Sequence, residues 1–317
     1  MKALLVFVAV LVILAGVGTL GWYGCELGIH PVREEERWPS GEFPRYRLDQ
    51  FNLPPPEEVH FESRDGLTLA GWFFRVADGP TVILAHGKDG SRFEMLPHAD
   101  YLHRGGFSVL MFDSRHRGRS EGHEVTLGAK EPWDIEGAVD YLRKRPDVDP
   151  ERIGVQGISL GAASGIMAAA ETPNIKGVVA ESAFKTISSV IDHSFTYVVG
   201  PPRFPFALVS KFICELRLGV DLDEVAPVKV IREISPRPVF LIHDREDELL
   251  PSDSGKALYK AAREPKVLWQ IPEALHGKGW QTAPKEYERR VLAFWRQTFG
   301  INRPERTKGS KPKPLGI

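Results

Sequence analysis

The longest hydrophobic segment of the chain lies at its N-terminus. Residues Ala3 to Cys25 carry no charged side chain, and at about 1.5 Å of helical rise per residue they span roughly 30 Å, the thickness of a bilayer's hydrocarbon layer. A cleaved signal peptide would need a shorter apolar core and a small-residue cleavage site, which Gly16-Val17-Gly18 matches poorly. Trp22 and Tyr23 suit a membrane interface. We predict a single-pass membrane anchor over residues 1–28. The few basic residues nearby leave open which side of the membrane the rest of the chain faces.

From residue 57 onward the apolar pattern alternates between strands and helices. Two runs of alternating polarity, Glu58–Ser63 and Leu67–Phe74, flank Arg64-Asp65-Gly66 and predict an antiparallel hairpin. The alternation that follows predicts βαβ units, a mostly parallel sheet and the α/β class. Its elements are strand Thr81–Ala85, helix Phe93–Arg104, strand Phe107–Phe112, helix Trp133–Arg143, strand Arg152–Val155, helix Leu160–Glu171, strand Gly177–Ala180, strand Val239–His243, helix Asp253–Arg263, strand Val267–Ile271 and helix Lys285–Thr298.

Three segments lie outside this alternation. The Pro-rich stretch from His30 to about Glu57 predicts an extended linker on the domain surface. An insertion over about 187–235, with a helix Ala207–Leu218, is too long for a bare loop and predicts a small helical cap over the carboxyl edge of the sheet. Its aromatic residues either line a pocket or pack the cap onto the core. We therefore place the globular domain at 29–302 and a basic, Pro-rich, disordered tail at 303–317.

Composition excludes several function classes. The chain has 317 residues and a net charge of −1, which gives no reason to expect a nucleic-acid partner. No His/Cys cluster has zinc-ligand spacing and no GxxxxGK phosphate loop occurs, so we expect neither a metal nor an organic cofactor. Cys25 and Cys214 lie far apart and in different contexts, so we expect no disulfide framework, and the redox compartment stays open.

Candidate chemistry centres on the segment Gly157-Ile158-Ser159-Leu160-Gly161. It connects an apolar strand to a helix of small residues, where a serine between two glycines is typical of a nucleophile elbow. The turn leaves no room for a Cβ on either glycine, so the hydroxyl of Ser159 should stand exposed at the carboxyl end of the strand. The N-terminus of the next helix favours developing negative charge there.

A nucleophilic serine needs a base, and the carboxyl ends of parallel strands restrict the candidates. His276 follows the last predicted strand in a loop and is the predicted base. His86 also follows a strand, but it precedes the serine and lies in a loop better suited to an oxyanion hole. His243 ends a strand and should point into the domain.

The acidic loop that begins at Asp244 supplies the candidate acid. A residue at the very end of a strand tends to turn away, whereas one a few positions further on can reach a histidine. We therefore favour Asp247 over Asp244 as the acceptor of the imidazole Nδ1 proton. The order Ser159, Asp247, His276 is the one that a nucleophile elbow requires.

An oxyanion hole needs backbone N–H groups directed at the developing charge. One should belong to Leu160, directly after the nucleophile. The second should come from the loop His86–Gly90 after the first parallel strand, and Lys88 is our choice for it. Only its backbone would be required.

Several of these segments together resemble the α/β-hydrolase superfamily, in particular its membrane-anchored serine aminopeptidase-like or esterase branch. The matching segments are Ala85-His86-Gly87, Phe112–Ser120, Gly157–Gly161, Leu241–Pro251 and Leu275-His276-Gly277. The resemblance covers roughly Glu57 to Thr298. It implies an eight-stranded, mostly parallel sheet with a cap after the sixth strand, the triad named above, and a structural role for Asp113 and Arg115. Asp244 stands where relatives usually have glycine, and Arg117 where a small or aromatic residue is common.

The function predicted from these features is a serine hydrolase that cleaves acyl esters through an acyl-enzyme. The apolar cap and the membrane anchor favour a small-molecule or lipid acyl substrate. Two alternatives stay open: an aminopeptidase or amidase, and a non-catalytic binding protein of the same fold.

Overall fold

A single eight-stranded sheet forms the centre of the molecule, which we describe from a computed structural model over residues 1–31, 46–195 and 203–301. Its order is β1-β2-β4-β3-β5-β6-β7-β8. The two pairings of β2 are antiparallel and all the others are parallel, which confirms the predicted fold class. The strands are β1 Glu57–Glu62, β2 Thr68–Phe74, β3 Thr81–Ala85, β4 Ser108–Phe112, β5 Ile153–Ile158, β6 Ile175–Glu181, β7 Val239–Asp244 and β8 Lys266–Ile271.

Helices cover both faces of the sheet and extend beyond it at the N-terminus. They are α1 Lys2–Ile29, α2 Leu96–Arg104, α3 Glu131–Arg143, α4 Leu160–Glu171, α5 Ile187–Ser194, α6 Arg203–Leu218, α7 Pro227–Val230, α8 Ser254–Ala261, α9 Gly279–Thr282 and α10 Pro284–Thr298. Short 3-10 helices occupy Leu48–Gln50, Arg92–Met95, Leu222–Glu224 and Ile231–Ile234.

The central strands β3, β4 and β5 are buried along their whole length, as their continuous apolar sequences require. Successive side chains of β3 point to opposite layers. Ile83 packs in the layer that contains Ile135 of α3 and Ile166 of α4, whereas Val82 packs in the layer that contains Trp295 of α10. The carboxyl ends of these strands therefore meet along one edge, and the loops that leave this edge carry the candidate site.

The insertion between β6 and β7 is helical, as predicted. It contains α5, α6 and α7 with two 3-10 helices, and α6 begins at Arg203, a turn earlier than predicted. Residues 196–202 of the insertion lie outside the described part. So do 32–45, most of the predicted linker, and 302–317, which include the predicted tail.

The last turns of α1 pack against α6 instead of leaving the domain. A Cβ at Gly21 would meet Val209 and one at Gly24 would meet Phe195, so both glycines permit close packing. Cys25 is disulfide-bonded to Cys214, with the two Cα atoms 5.4 Å apart. The expectation of no disulfide framework is wrong. It failed because a separation of 189 residues gives no sign that the end of α1 packs against the cap.

Candidate active site

Ser159 occupies a strained turn between β5 and α4. Its backbone has φ 55° and ψ −117°, a left-handed conformation that a non-glycine residue rarely adopts. A Cβ at Gly157 would lie 2.5 Å from the backbone of Gly161, and one at Gly161 would collide with the carbonyl of Ala85. The flanking glycines are therefore required by close backbone approach, as predicted. The Ser159 N–H donates to the carbonyl of Glu181 at 2.9 Å, which holds the turn against β6.

The structure brings the predicted nucleophile, base and acid together. Ser159 Oγ lies 2.8 Å from His276 Nε2. His276 Nδ1 lies 2.7 Å from Asp247 Oδ2. An Nδ1–H that donates to the carboxylate leaves Nε2 free to accept the serine proton, which is the arrangement that general-base activation of a hydroxyl requires.

Asp247 is held as a carboxylate by its surroundings. Its side chain is only 1% exposed, and burial alone would raise its pKa. Contact with His276 and hydrogen bonds from the N–H groups of Leu249 and Leu250, at 3.0 and 2.9 Å, outweigh the burial. The net effect lowers the pKa of Asp247 below its ordinary value, so the group is ionised at neutral pH.

Asp244 faces away from the imidazole, as the position at the strand end predicts. Its Oδ2 accepts a hydrogen bond from the Ser182 hydroxyl at 2.7 Å. A Cβ on Gly279 would lie 3.0 Å from Asp244 Oδ1 and 2.9 Å from Glu181 Oε1, so the two buried carboxyl groups are neighbours. Burial raises the pKa of Asp244 to about 6. Burial and the adjacent Asp244 raise that of Glu181 to about 8.

The loop after β3 lies beside the serine, where an oxyanion hole is predicted. Lys88 and Leu160 both line the cavity that contains Ser159. Leu160 is the first residue of α4, so its N–H is among those that have no acceptor within the helix. Buried His86 stabilises the loop: its Nε2 accepts from the Ser114 N–H at 3.0 Å, and its Nδ1 contacts the Gly87 carbonyl at 2.7 Å. His86 is therefore structural, and burial lowers its pKa.

Arg117, one of the two departures from the family pattern, connects this loop to the end of α1. Its buried guanidinium donates to the carbonyls of Asp89, Gly90 and Pro31, each at 3.0 Å. From the loop itself, Lys88 Nζ reaches the Leu27 carbonyl at 3.4 Å. The loop after β3 is thus held to the last turn of α1 and to Pro31, just beyond it, through backbone carbonyls.

The remaining predicted residues have structural partners. His243 is buried and its Nε2 contacts the Ser252 carbonyl at 3.1 Å, which agrees with the prediction that it points inward. Asp113 binds Arg92, and Arg115 forms a buried ion pair with Asp134. These contacts agree with the structural role that the resemblance implies for Asp113 and Arg115.

A cavity of about 650 Å³ adjoins Ser159 and His276. Most of its wall is apolar and comes from the cap, the loop after β7, α1 and the start of α4. The apolar lining includes Leu27, Leu127, Ile158, Leu160, Phe184, Ile187, Val190, Ile191, Phe195, Leu249 and Leu250. A volume of this size accommodates an acyl chain or a small organic ester.

Among the described residues, one group of carboxylates comes close enough to share a cation. It consists of Glu215, Asp221 and Asp223. Lys211 already pairs with Glu215 and Asp223, at 2.9 Å each. None of the three carboxylates lines the cavity.

Comparison with known proteins decides the family. The chain is 30% identical over 261 residues to YfhR of Salmonella typhi, covering 74% of this chain and 82% of that one. It is 26% identical to the alpha/beta hydrolase domain-containing protein WAV2 of Arabidopsis thaliana, covering 79% and 82%. Esterase Pf2001 of Pyrococcus furiosus superposes with a TM-score of 0.67 at 26% identity, covering 86% of this chain and all of that one. The chain belongs to the α/β-hydrolase superfamily.

Residues 62–214 of this α/β-hydrolase also match the X-Pro dipeptidyl-peptidase (S15) family. These similarities confirm the predicted family and the prediction that the protein is a hydrolase. The roles of Ser159, His276, Asp247, Leu160 and Lys88 in its chemistry stay predictions.

Sequence reasoning missed the contribution of α1 to this hydrolase's cavity. Gly24, Leu27 and Gly28 line the cavity beside the cap. Gly24 and Gly28 form a Gly-x-x-x-Gly motif within the predicted anchor. Such a motif permits close packing: Gly24 lies against Phe195 and Ser210, and Gly28 against Leu127. It was the available signal that this end of the helix packs against the rest of the protein. No comparable sequence motif indicates the roles of Arg117 and Glu181.

Proposed function

We propose that the protein is a serine hydrolase of acyl esters. The observation that carries this proposal is the continuous hydrogen-bonded path from Ser159 Oγ through His276 to Asp247, with distances of 2.8 and 2.7 Å, beside an apolar cavity.

In the proposed reaction, Ser159 Oγ attacks the acyl carbonyl while His276 Nε2 takes the serine proton. The N–H groups of Leu160 and Lys88 stabilise the oxyanion, and Asp247 stabilises the imidazolium. The imidazolium then gives its proton to the leaving alcohol as the acyl-enzyme forms. A water molecule, deprotonated by the same imidazole, attacks the acyl-enzyme and releases the acid and Ser159.

The cavity favours esters over peptides with a free amino terminus. An α-amino group needs a carboxylate partner, and the two acidic residues in the described lining are already engaged. Glu94 accepts from the Gly87 N–H at 2.9 Å, and Asp89 pairs with Lys88 at 2.9 Å. The aminopeptidase alternative is supported by the match to the S15 family.

A fluorophosphonate probe and a series of p-nitrophenyl esters test this proposal. The wild-type protein should react with the probe and hydrolyse the esters, whereas Ser159→Ala should do neither. Faster cleavage of aminoacyl amides than of esters would replace the ester assignment by the peptidase one. Labelling that survives Ser159→Ala would refute the assigned nucleophile.

Two neighbouring aspartates offer a matched pair of variants. Asp247→Asn should lower kcat by about 10⁴, because an amide cannot hold the imidazole tautomer that general-base catalysis needs. Asp244→Asn should keep kcat within about tenfold, because its carboxylate contacts Ser182 and not His276. Equal losses in both variants would contradict the assignment of the acid.

We also propose that α1 anchors the enzyme in a membrane. This helix is long and apolar enough to span a bilayer, and it continues without a break into turns that pack against the cap. The disulfide Cys25–Cys214 favours an oxidising environment for the catalytic domain, which places it outside the cytosol. Labelling of an engineered cysteine at Glu171 by a membrane-impermeant maleimide in intact cells would support this orientation. Protection of that cysteine until lysis would refute it.

A further inference from the structure

One side of α6 carries large apolar side chains that no described part of the protein covers. These residues, which we call the apolar face of α6, are Phe204, Leu208, Phe212 and Leu216. Their exposed fractions are 72%, 61%, 63% and 75%. The last three recur every four residues and therefore align along the helix. Phe204 precedes them at the start of α6, where the backbone is extended. A continuous exposed row of this kind indicates an interaction surface.

The position of α6 beside α1 indicates what covers this face. Gly21 of α1 lies against Val209, and one turn later Cys25 is bonded to Cys214. The two helices therefore run side by side in the same direction, and the N-terminal half of α6 lies level with the apolar run that ends at Cys25. At about 1.5 Å per residue, Gly21 lies about 6 Å inside the end of that run. Leu208 is adjacent to Val209 and lies at a similar depth.

The exposed surface of α1 continues that of α6. Leu11, Val12, Ile13 and Leu14 of α1 are about half exposed or more. Polar groups on α6 lie towards its C-terminal end: Lys211 pairs with Glu215 at 2.9 Å. The guanidinium of Arg217 lies 4.2 Å from the ring centroid of Trp22. An apolar end followed by paired charges and an interfacial tryptophan is the pattern of a helix inserted obliquely into a bilayer surface.

We propose that the apolar face of α6, from Phe204 to Phe212, is seated in the acyl-chain layer of the bilayer that α1 spans, so that the enzyme takes its ester substrate from that layer. The proposal rests on the proposed ester hydrolysis and membrane anchor. The opposite side of α6 contributes Ser210 and Cys214 to the cavity beside Ser159. A single helix thus separates the lipid from the cavity. The substrate class is a lipid-borne acyl ester whose chain partitions into the membrane.

The first test measures where the face lies. The native cysteines are occupied by their disulfide, so Leu208→Cys in the full chain provides a single thiol for an NBD fluorophore. In phosphatidylcholine vesicles, its emission should shift to the blue and be quenched by doxyl-labelled lipids. The same label at Glu171→Cys, an exposed position at the end of α4, should remain in water. Equal emission and quenching at the two positions would overturn the proposal.

The second test measures substrate supply. The double variant Leu208→Asn/Phe212→Asn, with an unchanged melting temperature, should hydrolyse p-nitrophenyl palmitate carried in vesicles about tenfold more slowly, because the cavity is no longer held against the lipid. Its rate on water-soluble p-nitrophenyl butyrate should be unchanged. Equal losses on both esters, or none on the palmitate, would overturn the proposal. A Ser159→Ala variant that still cleaves the butyrate would instead refute the proposed function, and the fluorescence result would be unaffected.

Discussion

The buried carboxyl pair behind the triad should make the stability of the fold depend on pH. Glu181 accepts hydrogen bonds from the Tyr287 hydroxyl at 2.6 Å and from the Gly279 N–H at 2.8 Å. Burial and the neighbouring charge of Asp244 outweigh these bonds and raise the pKa of Glu181 to about 8. The perturbation we consider is Glu181→Gln, which has nearly the same shape but cannot titrate. Its amide oxygen can still accept from the Gly279 N–H, and its NH2 group can donate to the Tyr287 hydroxyl oxygen.

The direction in which pH changes the free energy of unfolding follows from proton binding. Between the ordinary glutamate pKa near 4.5 and about 8, the folded protein holds a proton that the unfolded chain has lost. The free energy of unfolding must therefore fall as pH rises through this window. One proton corresponds to at most about 1.4 kcal/mol per pH unit. Because Asp244 interacts with Glu181 and has a raised pKa of about 6 itself, the pH dependence is divided between the two groups. We expect roughly 1 kcal/mol per unit from Glu181 between pH 5 and 8.

Thermal or urea unfolding of the full chain in detergent, at half-unit steps from pH 5 to 8.5, measures this slope. Other buried groups contribute to the wild-type slope, so the informative quantity is the difference between wild type and Glu181→Gln. This difference should fall steadily with rising pH, and Asp244→Asn should reduce it. The change Glu171→Gln, at an exposed carboxylate, should leave the slope unaltered. A difference that is flat, or that rises with pH, would refute the raised pKa.

Three further tests address the contacts around the site. Arg117→Ala removes hydrogen bonds to three carbonyls. It should lower kcat by about ten- to a hundredfold with little change in KM. Arg119→Ala, at an exposed arginine, should leave kcat unchanged. Lys88→Ala should keep kcat within about tenfold, because only the backbone N–H is proposed to act; a loss near that of Ser159→Ala would contradict this role. Reduction of the Cys25–Cys214 disulfide should lower the free energy of unfolding by about 2 to 5 kcal/mol. The variant with alanine at both positions should have the melting temperature of the reduced protein, whether or not reductant is present.

The sheet and the grouping of side chains around Ser159 could be predicted from the sequence for one physical reason. Strands buried on both faces are continuous apolar runs, so Thr81–Ala85 is found with the predicted bounds. Because parallel strands bring their carboxyl ends to a common edge, residues that follow those strands must meet there. His276 and Asp247 are separated from Ser159 by 117 and 88 positions, yet both lie within this shared edge. Periodicity and topology together were sufficient, without any knowledge of side-chain contacts.

Contacts between elements whose apolar patterns do not constrain each other could not be predicted from the sequence in this way. An apolar run is equally compatible with lipid on all sides and with packing against a cap. Apart from the Gly-x-x-x-Gly motif, nothing in this segment indicates that Gly21, Cys25 and Ile29 are buried whereas residues 3–16 are exposed. The disulfide was missed for the same reason. Glu181 resembles any polar residue at the end of a strand, because its raised pKa depends on a neighbour 63 positions away.

The contacts of α1 imply that the proposed anchor is also part of the hydrolase domain. Its last turns supply one wall of the cavity. The carbonyl of Leu27 in α1 binds Lys88, and the carbonyl of Pro31, two residues beyond the helix, binds Arg117. The same arginine holds the loop that carries the proposed oxyanion donor. A displacement of α1 relative to the sheet would therefore change both the cavity and the contacts of that loop, because Gly24, Leu27 and Gly28 line the cavity and the Leu27 carbonyl binds Lys88 of the loop. The helix that we propose to attach the protein to the membrane therefore also shapes the cavity beside Ser159.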